Sequence, residues 1–324
     1  MKTQITMQTY ANNYLNERRD LGFVLRASGQ SIHEFAHYVD TFKCKRPLTV
    51  EVMVNWAKQD KWKSNNPLTW ARRLKKLRPF ARYLQQFEAE TEVPDKSVFG
   101  SVNYRLTPHI YTENEIMDLL IAARHLKPKN GLRSATYETI FGLLASTGMR
   151  VSESLNLLNN DVELKHGMLT IRQTKFTKSR YVPLHSTTIE ALRKYYLVRN
   201  SYVETIDDAA FFIGSRGHCL GQPLSLRQVE YTFSVLRHQL NWINRGGHEA
   251  PRIHDLRHTF IVRRMMLWHA QNINIDQRML SLATYVGHSA VTNTYWYLTC
   301  VPELMALAGN KFELFTQTLE NNYD

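Results

Sequence analysis

The sequence predicts a mainly helical protein with a small antiparallel β-sheet, built as two domains. Three observations predict it. Apolar residues recur at helical spacing through most of the 324 residues. One stretch, 168–184, alternates apolar and polar residues instead. Between residues 93 and 110, Pro94 and Pro108 break a run with no clear period, which marks a linker between a helical portion, 1–92, and a larger one, 111–324. A chain of this length can bury two sizeable cores. Its 43% hydrophobic content excludes a disordered polymer.

Residues 5–21 show helical periodicity, with Tyr10, Tyr14 and Leu21 near one face. Ser31 is expected to cap the next helix, with Glu34 completing a capping box and Ile32, Phe35, Ala36 and Val39 forming the buried stripe. Pro47-Leu48-Thr49 opens a third helix through Val52, Val54 and Trp56. A fourth runs from about Pro67 to Phe87, and Pro79 is expected to kink or end it. This helix interleaves Arg72, Arg73, Lys75, Lys76, Arg78 and Arg82 with Trp70, Leu74, Leu77, Phe80 and Leu84. The first portion therefore reads as a four-helix domain with one basic face.

After the linker, Thr112-Glu113-Asn114-Glu115 caps a helix that carries Ile116, Leu119 and Leu120. A helix at about 134–146 is apolar enough to be core and delivers Gly148 and Arg150 at its exit. Met168-Leu169-Thr170-Ile171 and Tyr181-Val182-Pro183-Leu184 are the expected strands, with Lys175 near their turn. From residue 186 onward the chain reads mainly helical.

Net charge is +12 and the isoelectric point about 9.6, which fits a polyanionic partner. Residues 1–106 hold 18 Lys and Arg against 10 Asp and Glu, whereas the remaining 218 hold 23 against 19. The smaller portion is the more basic, as expected of the part that meets a polyanion. Three scattered cysteines, Cys44, Cys219 and Cys300, form neither a disulfide framework nor a zinc spacing, so a reducing cytoplasm is the simplest setting. Met1-Lys2-Thr3-Gln4 begins no apolar signal region, and no apolar run is long enough to span a membrane.

The chemistry sits in an ordered series. Thr147-Gly148-Met149-Arg150 comes first, with Glu153 three residues on. Lys175 follows, in the stretch 174–184, then His254-Asp255-Leu256-Arg257-His258, then Gly287-His288-Ser289, and Tyr297 stands nine residues after His288. Each piece alone is a weak signal; the whole series in order is a strong one. It resembles the tyrosine recombinase (phage integrase) family, by motif over about residues 107–310 and by layout over the whole chain. The resemblance implies an N-terminal core-binding (SAM-like) domain and a catalytic domain with a C-terminal tail helix, forming a C-shaped clamp on duplex DNA. It implies site-specific strand exchange through a 3′-phosphotyrosyl link and a Holliday junction, by a tetramer that needs no cofactor and no metal. Sister recombinases or an excision factor are further expected partners, and a nucleoid-associated location follows.

The resemblance also assigns roles, and the residue types suit them. Two guanidinium forks, Arg150 and Arg257, can grip the phosphate oxygens bidentately and stay charged. With His288 they would stabilise the charge that grows during attack. Tyr297 is the expected nucleophile, Lys175 the proton donor to the leaving 5′-oxygen, and His254 an aid to proton transfer. Glu153 is expected to orient a catalytic arginine. Lys178 competes with Lys175, and the count back from Val182-Pro183-Leu184 favours Lys175. Tyr295 competes with Tyr297, and the register from Gly287-His288-Ser289 selects Tyr297. His254 and His258, four apart, could suggest a metal pair, but no third ligand is patterned nearby; His258 reads as packing. Arg72, Arg73, Lys75 and Lys76 are expected to touch DNA phosphates. The segment from Trp268 to Thr284 and the string Thr294-Tyr295-Trp296-Tyr297-Leu298 resemble recombinases of transposons and other mobile elements. A type IB topoisomerase and a non-catalytic DNA-binding regulator stay open as alternatives.

Overall fold

The computed structural model describes residues 5–59, 65–100, 105–128, 131–172, 179–204, 206–300 and 304–306. The chain divides into two compact units, Met1–Arg105 and Leu106–Asp324.

The first unit packs four helices, α1 (Met7–Asp20), α2 (Arg26–Thr41), α3 (Val50–Lys58) and α4 (Pro67–Leu84). The Thr6 hydroxyl caps α1, and Asn66 caps α4 ahead of Pro67, whose missing N–H costs nothing in a first turn. α4 supplies Leu74, Leu77, Phe80, Ala81 and Leu84 to a core completed by Leu15, Phe35, Met53 and Trp56. Each fully buried large side chain of this kind contributes about 1.5–3 kcal/mol.

Two expectations need correction here, and one of the two outcomes expected at Pro79 falls away. α2 begins five residues before Ser31, so Ser31 lies inside the helix and its hydroxyl bonds back to the Ala27 carbonyl at 3.1 Å instead of capping. Leu21 is 69% exposed, because Met7, Ala11, Tyr14 and Leu15 make the buried face of α1. Pro79 neither ends α4 nor stops its burial pattern. The proline is exposed, so water can take the carbonyl it leaves unbonded, while Phe80, Tyr83 and Leu84 beyond it hold the last turn in the core.

The second unit contains α5 (Glu113–Arg124), α6 (Leu132–Thr147), α7 (Val151–Leu155), β1 (Val162–Glu163), β2 (Met168–Ile171), β3 (Arg180–Pro183), α8 (Ser186–Asn200), α9 (Leu226–Leu240), α10 (Asp255–Ala270), α11 (Ile275–Val286) and α12 (Thr292–Cys300). Thr112 and Glu115 form the expected capping box on α5. The sheet is antiparallel in the order β1-β2-β3, with Leu169 opposite Val182 and Ile171 opposite Arg180. α6 is buried on almost every side and is the spine of one core, with Leu119, Leu192, Phe211, Phe212 and Phe233 around it. A second core joins α10, α11 and α12 through Ile261, Val262, Met265, Met279, Leu282, Val286 and Tyr297. The exit of α6 and the facing ends of α10 and α11 meet between these cores. Among the described residues, no helix is long and apolar enough to cross a membrane.

Candidate active site

The C-terminus of α11 organises the site. The last carbonyls of a helix lack internal partners and carry the negative end of its dipole. Here three consecutive ones each accept from an arginine. Tyr285 O accepts from Arg180 Nε at 2.9 Å, Val286 O from Arg257 Nη1 at 2.7 Å, and Gly287 O from Arg150 Nη2 at 2.7 Å. Gly287 makes this possible. It adopts φ +75° and closes α11 with His288 N–H bonded to Ala283 O at 2.8 Å. A Cβ there would lie 2.5 Å from the Arg180 guanidinium. Gly148 does the same at the end of α6, with φ +61° and a would-be Cβ 2.5 Å from the Phe260 ring. Its carbonyl accepts a second bond from Arg257 Nη1, at 2.8 Å.

Glu153 sits among the arginines, only 8% exposed. Its carboxylate accepts from Arg150 Nη1 at 2.6 Å and from Arg180 Nη2 at 2.7 Å. Burial opposes its charge, but the bonds and charges of Arg180 and Arg150 outweigh burial and hold its carboxyl below the usual range. Arg257 is 3% exposed, and its Nη2 is buried with no hydrogen-bond partner among the described residues. Burial and the nearby Arg150 lower its pKa to about 10, so it stays charged at neutral pH. A buried, charged, unpaired donor is costly. It is explained if an anion completes it, beside Arg150, whose side chain is 30% exposed.

The aromatic half of the site comes from α10 and α12. Tyr297 is 3% exposed, and its hydroxyl lies 2.7 Å from His258 Nδ1. His288 bonds the Thr294 hydroxyl through Nδ1 at 2.7 Å and lies nearly parallel to the Tyr297 ring, centroids 6.3 Å apart. His254 precedes α10 and meets His258 edge-on at 4.9 Å. Burial and Arg257 push His254 towards its neutral form, although part of the residue faces solvent. Tyr295 is 38% exposed and pairs with Asp276 instead. Among the described residues, no group of His, Cys, Asp and Glu could hold a metal ion.

The fold thus gathers Arg150, Glu153, His254, Arg257, His288 and Tyr297, drawn from residues almost 150 apart in sequence. The phage integrase family model matches residues 110–301.

The chain belongs to the phage integrase family.

It is a tyrosine recombinase, an enzyme class that cleaves and rejoins DNA strands. The recombinase is 33% identical over 313 residues to the integrase/recombinase y4rB of Sinorhizobium fredii, covering 95% of this chain and 97% of that one. It is 29% identical over 301 residues to the tyrosine recombinase XerC of Thermodesulfovibrio yellowstonii, covering 90% and 91%. Its fold matches the Tn1549 transposon integrase in complex with transposon right end DNA, with a TM-score of 0.67 at 15% identity over 95% of this chain and all of that one. The XerH recombinase bound to palindromic difH substrate gives 0.62 at 15% identity, over 94% and 85%.

Two residues of this integrase-family site escaped the sequence reading. Arg180, the first residue of β3, is one basic residue among several in the stretch 172–180. Its signal was strand parity with buried Val182, which turns both inward. His258 read as packing, although its spacing from His254 puts both rings on one face of α10. Lys175 and its rival Lys178 lie outside the described residues, as does most of the tail after Tyr297.

In the first unit, the four basic residues expected to touch DNA divide into two pairs. Arg72 and Lys75 are exposed on α4. Arg73 instead lies over the Trp56 ring at 4.1 Å, and Lys76 donates to the Ser31 hydroxyl at 3.1 Å. Both cationic heads are engaged within the unit, and both residues are only half-exposed.

Proposed function

We propose that the chain is a site-specific recombinase of a mobile element, with Tyr297 as the nucleophile. In this reading Arg150 and Arg257 hold the scissile phosphate, and His288 adds a donor. Tyr297 attacks, a 3′-phosphotyrosyl link forms, and the 5′-oxygen leaves with a proton from Lys175. Glu153, tied to Arg180, keeps Arg150 in place, and His254 assists proton transfer at the tyrosine. A tetramer would exchange strands through a Holliday junction, each protomer supplying a core-binding domain, 1–92, and a catalytic domain, 111–324. The apolar tail after Pro302 would dock on the neighbouring protomer. The transposon integrase and recombinases with matching folds favour a mobile element and duplex DNA as partner. Cytoplasmic, nucleoid-associated work suits such a substrate.

The observation that carries this reading is the unpaired, buried Nη2 of Arg257 beside the Arg150 guanidinium and the Tyr297 site. The test uses duplexes selected by the protein from random-sequence DNA. A plasmid carrying two such sites should yield exchanged products, deletion or inversion according to their orientation. Relaxed plasmid without exchange would instead indicate a topoisomerase. Binding without either product would indicate a regulator.

The exposed pair on α4 should contact phosphates, which position a protein without reading sequence. Arg72→Gln with Lys75→Gln is expected to weaken binding to all duplexes alike and to reduce the salt slope by about one per lost contact. Titration at several salt concentrations measures both. A loss confined to one sequence, with the slope intact, would mean that α4 reads bases.

A further inference from the structure

His258 is the side chain the proposed mechanism leaves unused, yet it touches the reacting atom. Its Nδ1 lies 2.7 Å from the Tyr297 hydroxyl, shorter than a common N···O bond. We propose that His258 is a catalytic residue: its imidazole takes the Tyr297 phenolic proton during attack and returns it when the strand is rejoined. This rests on Tyr297 being the nucleophile.

The surroundings explain why the base is held ready and idle. His258 faces Arg257 on α10, His254 and Arg252 just before it, Tyr297 and Trp296 on α12, and His288 in the preceding turn. Burial, His254, Arg252, Arg257 and His288 all disfavour a charged ring and lower its pKa to about 2. The imidazole is therefore neutral in the free protein and able to accept. A phosphate anion gripped by Arg257 and Arg150 would offset the charges that penalise the imidazolium. Proton transfer then becomes favourable only with DNA in place, and the free enzyme keeps Tyr297 as an unreactive phenol.

The step balances. The Tyr297 O–H bond breaks, and its proton moves to His258 Nδ1. The tyrosine oxygen bonds to phosphorus as the bond to the 5′-oxygen breaks, and that oxygen takes a proton from Lys175. Religation runs the same steps backwards: the 5′-hydroxyl attacks, Lys175 recovers its proton, and the imidazolium protonates the departing tyrosine. His254, edge-on to His258, then assists the transfer by keeping that ring oriented.

The test compares wild type with His258→Asn, whose amide can keep a hydrogen bond to the hydroxyl yet cannot take a proton. Single-turnover adduct formation is followed on nicked suicide duplexes made from the selected DNA, from about pH 6 to about pH 9. The expected loss at neutral pH is about 10²–10⁴-fold, with DNA binding unchanged. The Asn variant should depend on hydroxide, its rate rising about tenfold per pH unit below the phenol pKa of about 10, while wild type stays flat. Fluorinated tyrosine at position 297, a more acidic phenol, should recover much of the loss. Wild-type rate and profile in the Asn variant would overturn the assignment, as would faster cleavage, which would make the contact a latch. If the variant fails to fold, the wild-type profile still decides: a hydroxide slope in wild type rules out an internal base. An adduct of normal yield from Tyr297→Phe would overturn the nucleophile itself, whereas an inactive Phe variant beside an unaffected Asn variant would overturn His258 alone.

Discussion

Tyr297→Phe should bind DNA as tightly as wild type and form no covalent adduct. The substitution removes one oxygen from a ring that is 3% exposed and packed with Ile261, Val262, Met279 and Val286. The phenyl group fills the same volume, so no cavity opens. The lost contact to His258 Nδ1 is a single hydrogen bond, worth about 0.5–1.5 kcal/mol. The fold should therefore persist while the reaction loses its nucleophile. Denaturing electrophoresis after incubation with nicked suicide DNA reads the adduct, and a gel shift reads binding. An adduct at normal yield would transfer the role to Tyr295, the exposed neighbour on α12.

Arg257→Ala is expected to cost at least about 10²–10³-fold in single-turnover cleavage, the loss typical of removing one donor aimed at developing charge. Two effects should be separated. The guanidinium bridges Gly148 O and Val286 O, tying the exit of α6 to the end of α11. Truncation leaves both acceptors without that donor, at about 1–3 kcal/mol each if water does not replace it. Its Nη2 makes no such bond within the described protein, and its loss should fall on the phosphate. Arg257→Lys distinguishes the two. A lysine keeps the charge but lacks the planar fork, so it can serve a carbonyl or the phosphate but not all three acceptors. Thermal melting should recover in the lysine variant more than cleavage does. Recovery of cleavage to wild-type rate would show that a point charge suffices.

A comparable logic limits the basic face of α4. Six cations at helical spacing looked equivalent in sequence, yet Arg78 is buried and donates to the carbonyls of Pro94 and Asp95 at 2.9 Å each. Together with Arg73 over Trp56 and Lys76 on Ser31, it leaves Arg72, Lys75 and Arg82 as the solvent-facing charges. Charge counting locates a basic helix, but packing decides which of its charges reach solvent.

The helical class, the position of the small sheet, the capping box at Thr112 and the family are legible in the residues alone. These depend on local periodicity, cap chemistry and ordered motifs, which a chain displays without folding. The sequence also named Arg150, Glu153, Arg257, His288 and Tyr297 as the residues to watch. How they meet depends on long-range packing. That Tyr285, Val286 and Gly287 would hold Arg180, Arg257 and Arg150 follows from where the end of α11 lands against α6 and β3. No local pattern encodes that landing. His258 reads in sequence only as packing for the same reason: locally it is a ring one turn from His254, and it becomes a hydrogen-bond partner of Tyr297 only when α12 packs across α10. Ser31 was misread in the opposite sense, as a local start signal that burial of the surrounding helices overrode, and at Pro79 the same burial carries α4 past a stop signal. Local signals are worth about 1 kcal/mol each, and the burial of a few large side chains exceeds them.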